Sequence, residues 1–360
     1  ISVMKNIIIF RTDRLGDYII HSRPIYEIKE RNKDIKIIIV CSKINEKILK
    51  NLNYIDDIIV YDQSASLIKK IQIFFKIIKI KYYATFILDG KKFSYLCNIF
   101  IKARYKFGLS YAYTKKIFNI PITVFRPGRI YNYFFFNKIS YFTSRKYLKE
   151  SVSLCQKYLD LFNFFNLNIT YKDNYVFNTI ENAEENYKNI VNKLNIKDYL
   201  LIHFDEKWTD ILNEKINFVS IIKNLQQKIN KKIILTGFNN NYNYYNLLKN
   251  SFVTYDCKKS VKETNDINIY VLDNLDIFTF ERFIKNAVIN ISCHSGFIVQ
   301  VCGANNGQLL DIINENDVKW YKCWVPAMVL HQIVLKSTIK MGARNLELIF
   351  DDIFQIIKKL

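Results

Sequence analysis

Residues 7–24 read IIIFRTDRLGDYIIHSRP, and their pattern sets the fold. Ile7, Ile8, Ile9 and Phe10 make a run short and β-branched enough for a buried strand. The polar loop Arg11-Thr12-Asp13-Arg14-Leu15-Gly16-Asp17 follows. Apolar residues then return at helical spacing as Tyr18, Ile19, Ile20, Ile25 and Ile28. Strand, glycine-containing loop, helix is the opening unit of a nucleotide-type α/β domain, which takes ligands at the C-terminal ends of its strands. Two arginines, two aspartates and a glycine therefore stand where chemistry is done. Asp13 and Asp17 also suit a helix cap, and the residues alone leave both roles open.

Outward from this unit, the first half alternates. Strands fit residues 35–41 (IKIIIVC), 58–61 and 84–88, with another near 106–108. Helices fit 45–52, 66–80 and the stretch ending at Ile101. Such alternation predicts a mostly parallel sheet with helices on both faces. The helix over 66–80, SLIKKIQIFFKIIKI, is basic and amphipathic, with Leu67, Ile71, Phe74, Phe75 and Ile78 on one side. Covering the sheet is its expected task, and lying on a membrane surface is the alternative. Residues 111–145 hold Pro121, Pro127 and Gly128 amid many aromatics and read as a loop-rich excursion with one helix. A helix over 147–165 closes this half, and polar residues 166–178 form the best boundary.

The second half restarts the alternation. Strands fit 199–203 (YLLIH), 233–236, 252–255, 288–292 and 308–313; helices fit 181–194, 217–229, 242–250, 278–286 and 345–359. Another helix begins directly after Cys293-His294-Ser295-Gly296. Only nine glycines occur in the chain, and Gly16, Gly90, Gly237 and Gly296 each follow an apolar strand. That placement allows tight turns and close approach of backbone N–H groups to a ligand. Two such halves suggest a site in a cleft between domains. No G-x-G-x-x-G or Walker A sequence is present, which disfavours a dehydrogenase or P-loop enzyme.

Composition narrows the class further. A length of 360 residues points to about two domains, and half the residues are hydrophobic, enough for a sizeable core. No apolar run reaches the ~18 residues of a membrane span, and no signal peptide is expected, because the start runs straight into the first strand. Seven cysteines without a C-x-x-C pair suggest reduced thiols in the cytoplasm. His21, His203, His294 and His331 lack zinc-type spacing, so no metal is expected. The net charge of +20 attracts phosphates, but the abundance of Ile, Lys, Asn and Tyr is also what an AT-rich genome imposes. No nucleic-acid-binding signature stands out.

R-x-D-x-L-G-D-x-I followed by Pro (Arg11, Asp13, Leu15, Gly16, Asp17, Ile19, Pro24) resembles the N-terminal signature of glycosyltransferase family 9, the heptosyltransferases of lipopolysaccharide core synthesis. The likeness continues through Lys81-Tyr82-Tyr83 before the strand ATFILDG, the segment ARYKFGLS, the run LLIHFDEKW and the turn Ser292-Cys293-His294-Ser295-Gly296. It implies an α/β chain of GT-B type, with two Rossmann-like domains facing a cleft. These are an acceptor-binding domain over 1–170, a nucleotide-sugar-binding domain over 171–325, and a helical segment over 326–360 packing back on the first. It implies inverting transfer of a sugar from a nucleotide-diphosphate sugar to a hydroxyl of an envelope glycan or lipopolysaccharide-type acceptor, with neither metal nor cofactor.

Such a transfer needs a base for the acceptor proton and positive charge or N–H donors for the departing diphosphate. Asp17 matches the family's base, with Arg11, Asp13, Arg14 and Gly16 on the acceptor side. Lys207 matches its phosphate-contacting lysine, and Thr236, Gly237, His294, Ser295 and Gly296 complete the donor side. His294 stands where the family has an acid, Gln300 near where it has a histidine, and Thr209 where it has a proline. An imidazole can donate to phosphate but cannot accept from two sugar hydroxyls as a carboxylate does, which points away from heptose. Two alternatives remain: a sugar-nucleotide epimerase of the same fold, and a non-catalytic basic protein binding anionic lipid or polysaccharide through the lysine-rich helix. The expected setting is cytoplasmic, with peripheral contact at an anionic inner-membrane surface.

Overall fold

The computed structural model describes residues 5–117, 120–142, 154–169, 175–177, 181–212, 217–237, 243–257, 260–261, 268–304 and 307–360. The chain divides into two compact units, Ile1–Asn178 with Lys322–Trp324, and Thr179–Tyr321 with Val325–Leu360.

In the first unit β1 (Lys5–Arg11) lies at the centre of a parallel sheet. β2 (Ile35–Cys41) and β3 (Asp57–Val60) are on one side, β4 (Lys81–Ile87) and β5 (Lys102–Ile117) on the other, in the order β3-β2-β1-β4-β5. Ile7 to Phe10 are all fully buried, so both faces of β1 are covered; that is why the strand reads as an unbroken apolar run. Ile8 and Phe10 cluster with Ile38, Val40 and Ile59 of the neighbouring strands and Ile77 of α3 (Leu67–Ile78). The helix after β1, α1 (Leu15–Arg31), begins at Leu15, so Gly16 and Asp17 sit inside its first turn.

Of residues 111–145, the described ones, 111–117 and 120–142, are more regular than expected, and the others lie outside the described residues. β5 runs on to Ile117 and pairs antiparallel with β6 (Ile120–Arg126); then come α5 (Arg129–Phe135) and β7 (Lys138–Phe142), which joins β5 in parallel. Pro121 misleads the reading, because a proline is tolerated in an edge strand such as β6. Of the helix read over 147–165, α6 (Leu154–Phe162) is present, continued by a 3-10 turn at Asn163–Phe165; residues 147–153 lie outside the described residues, as do 170–174 and 178 of the boundary segment.

The second unit opens with α7 (Glu181–Lys193) and is built on β8 (Tyr199–Phe204), β9 (Lys232–Gly237), β10 (Val253–Asp256), β12 (Ile269–Asp273), β13 (Ile289–Ser292), β14 (Gln308–Asn314) and β15 (Leu330–Thr338). All are parallel, in the order β10-β12-β9-β8-β13-β14-β15, and short antiparallel partners β11 (Ser260–Val261) and β16 (Gly342–Ala343) close the edges. The helices α8 (Phe218–Ile229), α9 (Asn243–Ser251), α10 (Ile277–Asn286) and α11 (Gly296–Ala304) alternate with the strands as expected. β12 and β15 were not anticipated; β12 is a short run, and β15 mixes polar with apolar residues along its nine positions. The C-terminal helix α13 (Leu346–Lys359) belongs to the second unit. Leu346, Ile349, Phe350 and Ile353 bury in the core of the second unit, where the helix packs against α8 and β15. Its apolar stripe is part of the core of that unit.

Candidate functional site

Each unit gathers its polar side chains at the C-terminal ends of its strands. In the first unit the organising group is Arg11, the last residue of β1, whose side chain is 1% exposed. Its Nε lies 3.1 Å from Asp13 Oδ1 and donates to the Asp17 carbonyl at 3.0 Å; Nη1 donates to the Leu88 carbonyl, and Nη2 lies 3.6 Å from Asp17 Oδ1. The guanidinium also sits over the Tyr158 ring. A buried guanidinium is tolerable only with such partners. The loop is held from the other side by Ser42 Oγ and Asn45 Nδ2, which both donate to the Asp13 carbonyl.

Neither aspartate caps the helix. Arg14 occupies the cap position and receives no side-chain cap bond, while Asp17 stands in the first turn, where the helix dipole favours an anion. The Asp17 side chain is 36% exposed. Asp13 is more enclosed: burial, opposed by Arg11 and reinforced by Asp17 and Asp89, pushes its carboxyl up to about 7. Asp13 and Arg14 line an open cavity of about 1110 Å³, with Lys43, Lys91 and Arg126 also on its wall. Asp89 fixes the floor, accepting from Thr12 Oγ1 at 2.6 Å and Ser94 Oγ at 2.8 Å. Gly90 (φ +64°) turns the chain here, and a Cβ would sit 2.6 Å from the Tyr111 ring.

In the second unit Lys207 lies in a 3-10 turn, Glu206–Trp208, capped by Asp205, whose side chain accepts from the Lys207 N–H. Lys207 Nζ donates to the His294 carbonyl at 2.5 Å and lies over the Tyr321 ring. The structure thus brings Lys207 and the His294-Ser295-Gly296 turn, both read from the sequence as donor-side, next to each other. His294 has a left-handed backbone (φ +54°), and its ring stacks on Tyr321 at 3.8 Å. Thr236 and Gly237 are differently engaged. The Thr236 hydroxyl lies 3.0 Å from His203 Nδ1 within the sheet, and Gly237 makes room for the Tyr245 ring, 2.8 Å from where a Cβ would be. Burial lowers the His203 imidazole to about 3, which keeps it neutral there.

Sequence reasoning missed two members of this site. His294 Nδ1 lies 2.6 Å from Asp311 Oδ2, and His331 Nε2 lies 3.1 Å from the same oxygen. Asp311 is fully buried on β14, and register puts it beside Ser292 on one side and Ile333 on the other. An aspartate inside an apolar strand was the available signal, since such a group must find partners. Burial alone would raise its carboxyl, but the charge and hydrogen bond of His294, then His331, outweigh it and hold it at about 2. Because the folded-state value lies below the ordinary one, this contribution is full above about pH 4 and is lost as pH falls towards 2, about 2 kcal/mol in all. Asp311→Asn is therefore expected to lower the urea midpoint at neutral pH, with the gap to wild type narrowing below pH 4.

No family model and no curated protein matches the sequence. Solved structures do match over almost the whole chain. E. coli heptosyltransferase WaaC with ADP covers 98% of this chain and 99% of its own, at 12% identity and TM-score 0.60. E. coli ADP-heptose LPS heptosyltransferase II covers 99% of each, at 11% identity and TM-score 0.61. A glycosyltransferase family 9 protein from Veillonella parvula covers 92% of this chain and 86% of its own, at 11% identity and TM-score 0.60. S. aureus MnaA with UDP matches at TM-score 0.55 and 14% identity, covering 98% and 88%. The fold is thus α/β of the GT-B type, with two Rossmann-like domains. Within that class it is similar to the family 9 heptosyltransferase structures, at TM-scores of 0.60 and 0.61.

Proposed function

We propose that this chain is a glycosyltransferase that moves a sugar from a nucleotide-diphosphate sugar to a hydroxyl of an acidic envelope-glycan or lipopolysaccharide-type acceptor, with inversion and without a metal. The observation that carries the reading is the division of chemistry in a chain matching heptosyltransferase structures end to end. Carboxylates organised by a buried arginine stand at the strand ends of one unit, and a lysine beside a histidine stands at those of the other.

In the second unit, Lys207 and the backbone N–H groups opening α11 hold the diphosphate and offset the charge that grows on it as the glycosidic bond breaks. His294 keeps Nδ1 on Asp311, which leaves Nε2 to meet a donor oxygen. In the first unit the cavity with Arg14, Lys43, Lys91 and Arg126 takes the acceptor, its cations matching an anionic glycan. Asp17 removes the acceptor proton, and Arg11 fixes the loop that carries it. Asp13 offers a second reading of the base, favoured by its place on the cavity wall and by a carboxyl that changes charge near neutral pH.

Thermal shift against nucleoside diphosphates tests the donor side. One diphosphate at about 100 times its Kd adds about 2.7 kcal/mol, and the resulting rise in Tm should disappear in Lys207→Ala. No rise with any nucleoside diphosphate would sink the assignment.

A further inference from the structure

A helix that only covered a sheet would turn chiefly polar residues outward, whereas α3 exposes large apolar ones among its lysines. Its inner side, Ile73, Phe74, Ile77 and Ile78, meets the core of the first unit, with Ile77 alone fully buried. Leu67 and Ile68 are 73% and 70% exposed, and Ile71 and Phe75 are exposed as well. Leu67, Ile71 and Phe75 recur every four residues, so they form one outward stripe. Lys69, Lys76 and Lys79, all exposed, flank it.

The apolar surface continues beyond α3. Phe74 meets Phe100 of α4 (Lys92–Phe100) at 5.5 Å, and both Phe100 and Leu96 of that helix are exposed. α4 is bonded in turn to α5, where Asn98 Nδ2 donates to the Phe135 carbonyl, and α5 exposes Ile130, Tyr133 and Phe134. Contiguous apolar surface of this kind marks an interaction site.

Charge selects the occupant. Between Asp62 and Asp89 the chain has no acidic residue and carries lysines at 69, 70, 76, 79 and 81. A second copy of the chain would set lysine against lysine, whereas phosphate headgroups complement the flank and acyl chains the stripe. We propose that this face of the first unit docks on an anionic lipid bilayer. α3 lies in the interfacial plane, with Leu67, Ile71 and Phe75 at the acyl boundary and the lysines at the headgroups. Tyr133 suits the same level, because its ring is apolar and its hydroxyl wet. This inference does not rest on the transferase reading.

The test is co-sedimentation of the full chain with vesicles of phosphatidylcholine alone and of phosphatidylcholine with phosphatidylglycerol. Binding is expected only to the second, falling as salt rises. Replacing Lys69, Lys76 and Lys79 together by Gln should weaken it about 100-fold. Leu67→Ser, Ile71→Ser and Phe75→Ser together should abolish it, with far-UV circular dichroism unchanged because these side chains face outward. Lys197→Gln with Lys358→Gln, on the second unit, should leave it intact. Three results would overturn the proposal: equal binding to neutral vesicles, binding insensitive to the α3 variants, or no vesicle binding together with a dimer that the Ser variants dissociate.

Discussion

Replacing Asp17 by Asn is expected to slow sugar transfer by about 10²- to 10⁴-fold, the usual worth of a positioned general base. The fold should survive, because Asp13 keeps the shorter ion pair with Arg11 and the closer contacts of Asp17 run through its backbone. Its carbonyl accepts from Arg11 Nε and its N–H bonds to the Arg14 carbonyl, and an amide side chain disturbs neither. The loss should fall on kcat, since proton removal belongs to the transition state. Asp13→Asn is the companion variant. If it abolishes transfer while Asp17→Asn keeps full activity, the base is Asp13, and the bell-shaped rate profile should then have its acidic limb near pH 7, where the Asp13 carboxyl titrates.

Arg11→Met is expected to cost about 3–5 kcal/mol of stability, the largest single effect in the first unit. Methionine fills much of the same volume. However, it removes the donor to the Leu88 carbonyl, one of the side-chain partners of the Asp17 carbonyl, and the positive charge that holds the enclosed Asp13 carboxyl down. Without Arg11 the Asp13 carboxyl rises further and takes up a proton, so Asp13→Asn in the same chain should recover little of the loss at neutral pH and more of it at high pH. Urea unfolding of the two variants measures both numbers. A loss below about 1 kcal/mol for Arg11→Met would mean that the arginine is not what holds the loop.

What could be read from the sequence follows from how each feature is encoded. β1, β2 and β4 are covered on both faces, and the resulting apolar runs, bounded by polar loops, announce themselves. β15 was missed because LHQIVLKST alternates buried and exposed residues near the sheet edge and carries two lysine-or-histidine positions that look like surface. The site divides similarly. Asp17 and Lys207 lie shortly after readable strands, in the first turn of α1 and in a 3-10 turn. The grouping of His294 with Asp311 and His331 depends on the register of β13, β14 and β15. Three neighbouring parallel strands bring together residues 17 and 20 apart with no motif in the chain. Thr236 and Gly237 were read as donor contacts from their place at a strand end, while their neighbours His203 and Tyr245 show a packing role that position alone does not encode.

Incubation of the chain with a panel of nucleotide-diphosphate sugars, following release of nucleoside diphosphate and the fate of the sugar, tests the central claim most directly. The account predicts diphosphate release from one donor, slow with water as acceptor, accelerated by an acidic glycan and lost in Asp17→Asn. Conversion of a donor to its epimer with the diphosphate still attached, or no turnover of a donor that binds, would contradict it.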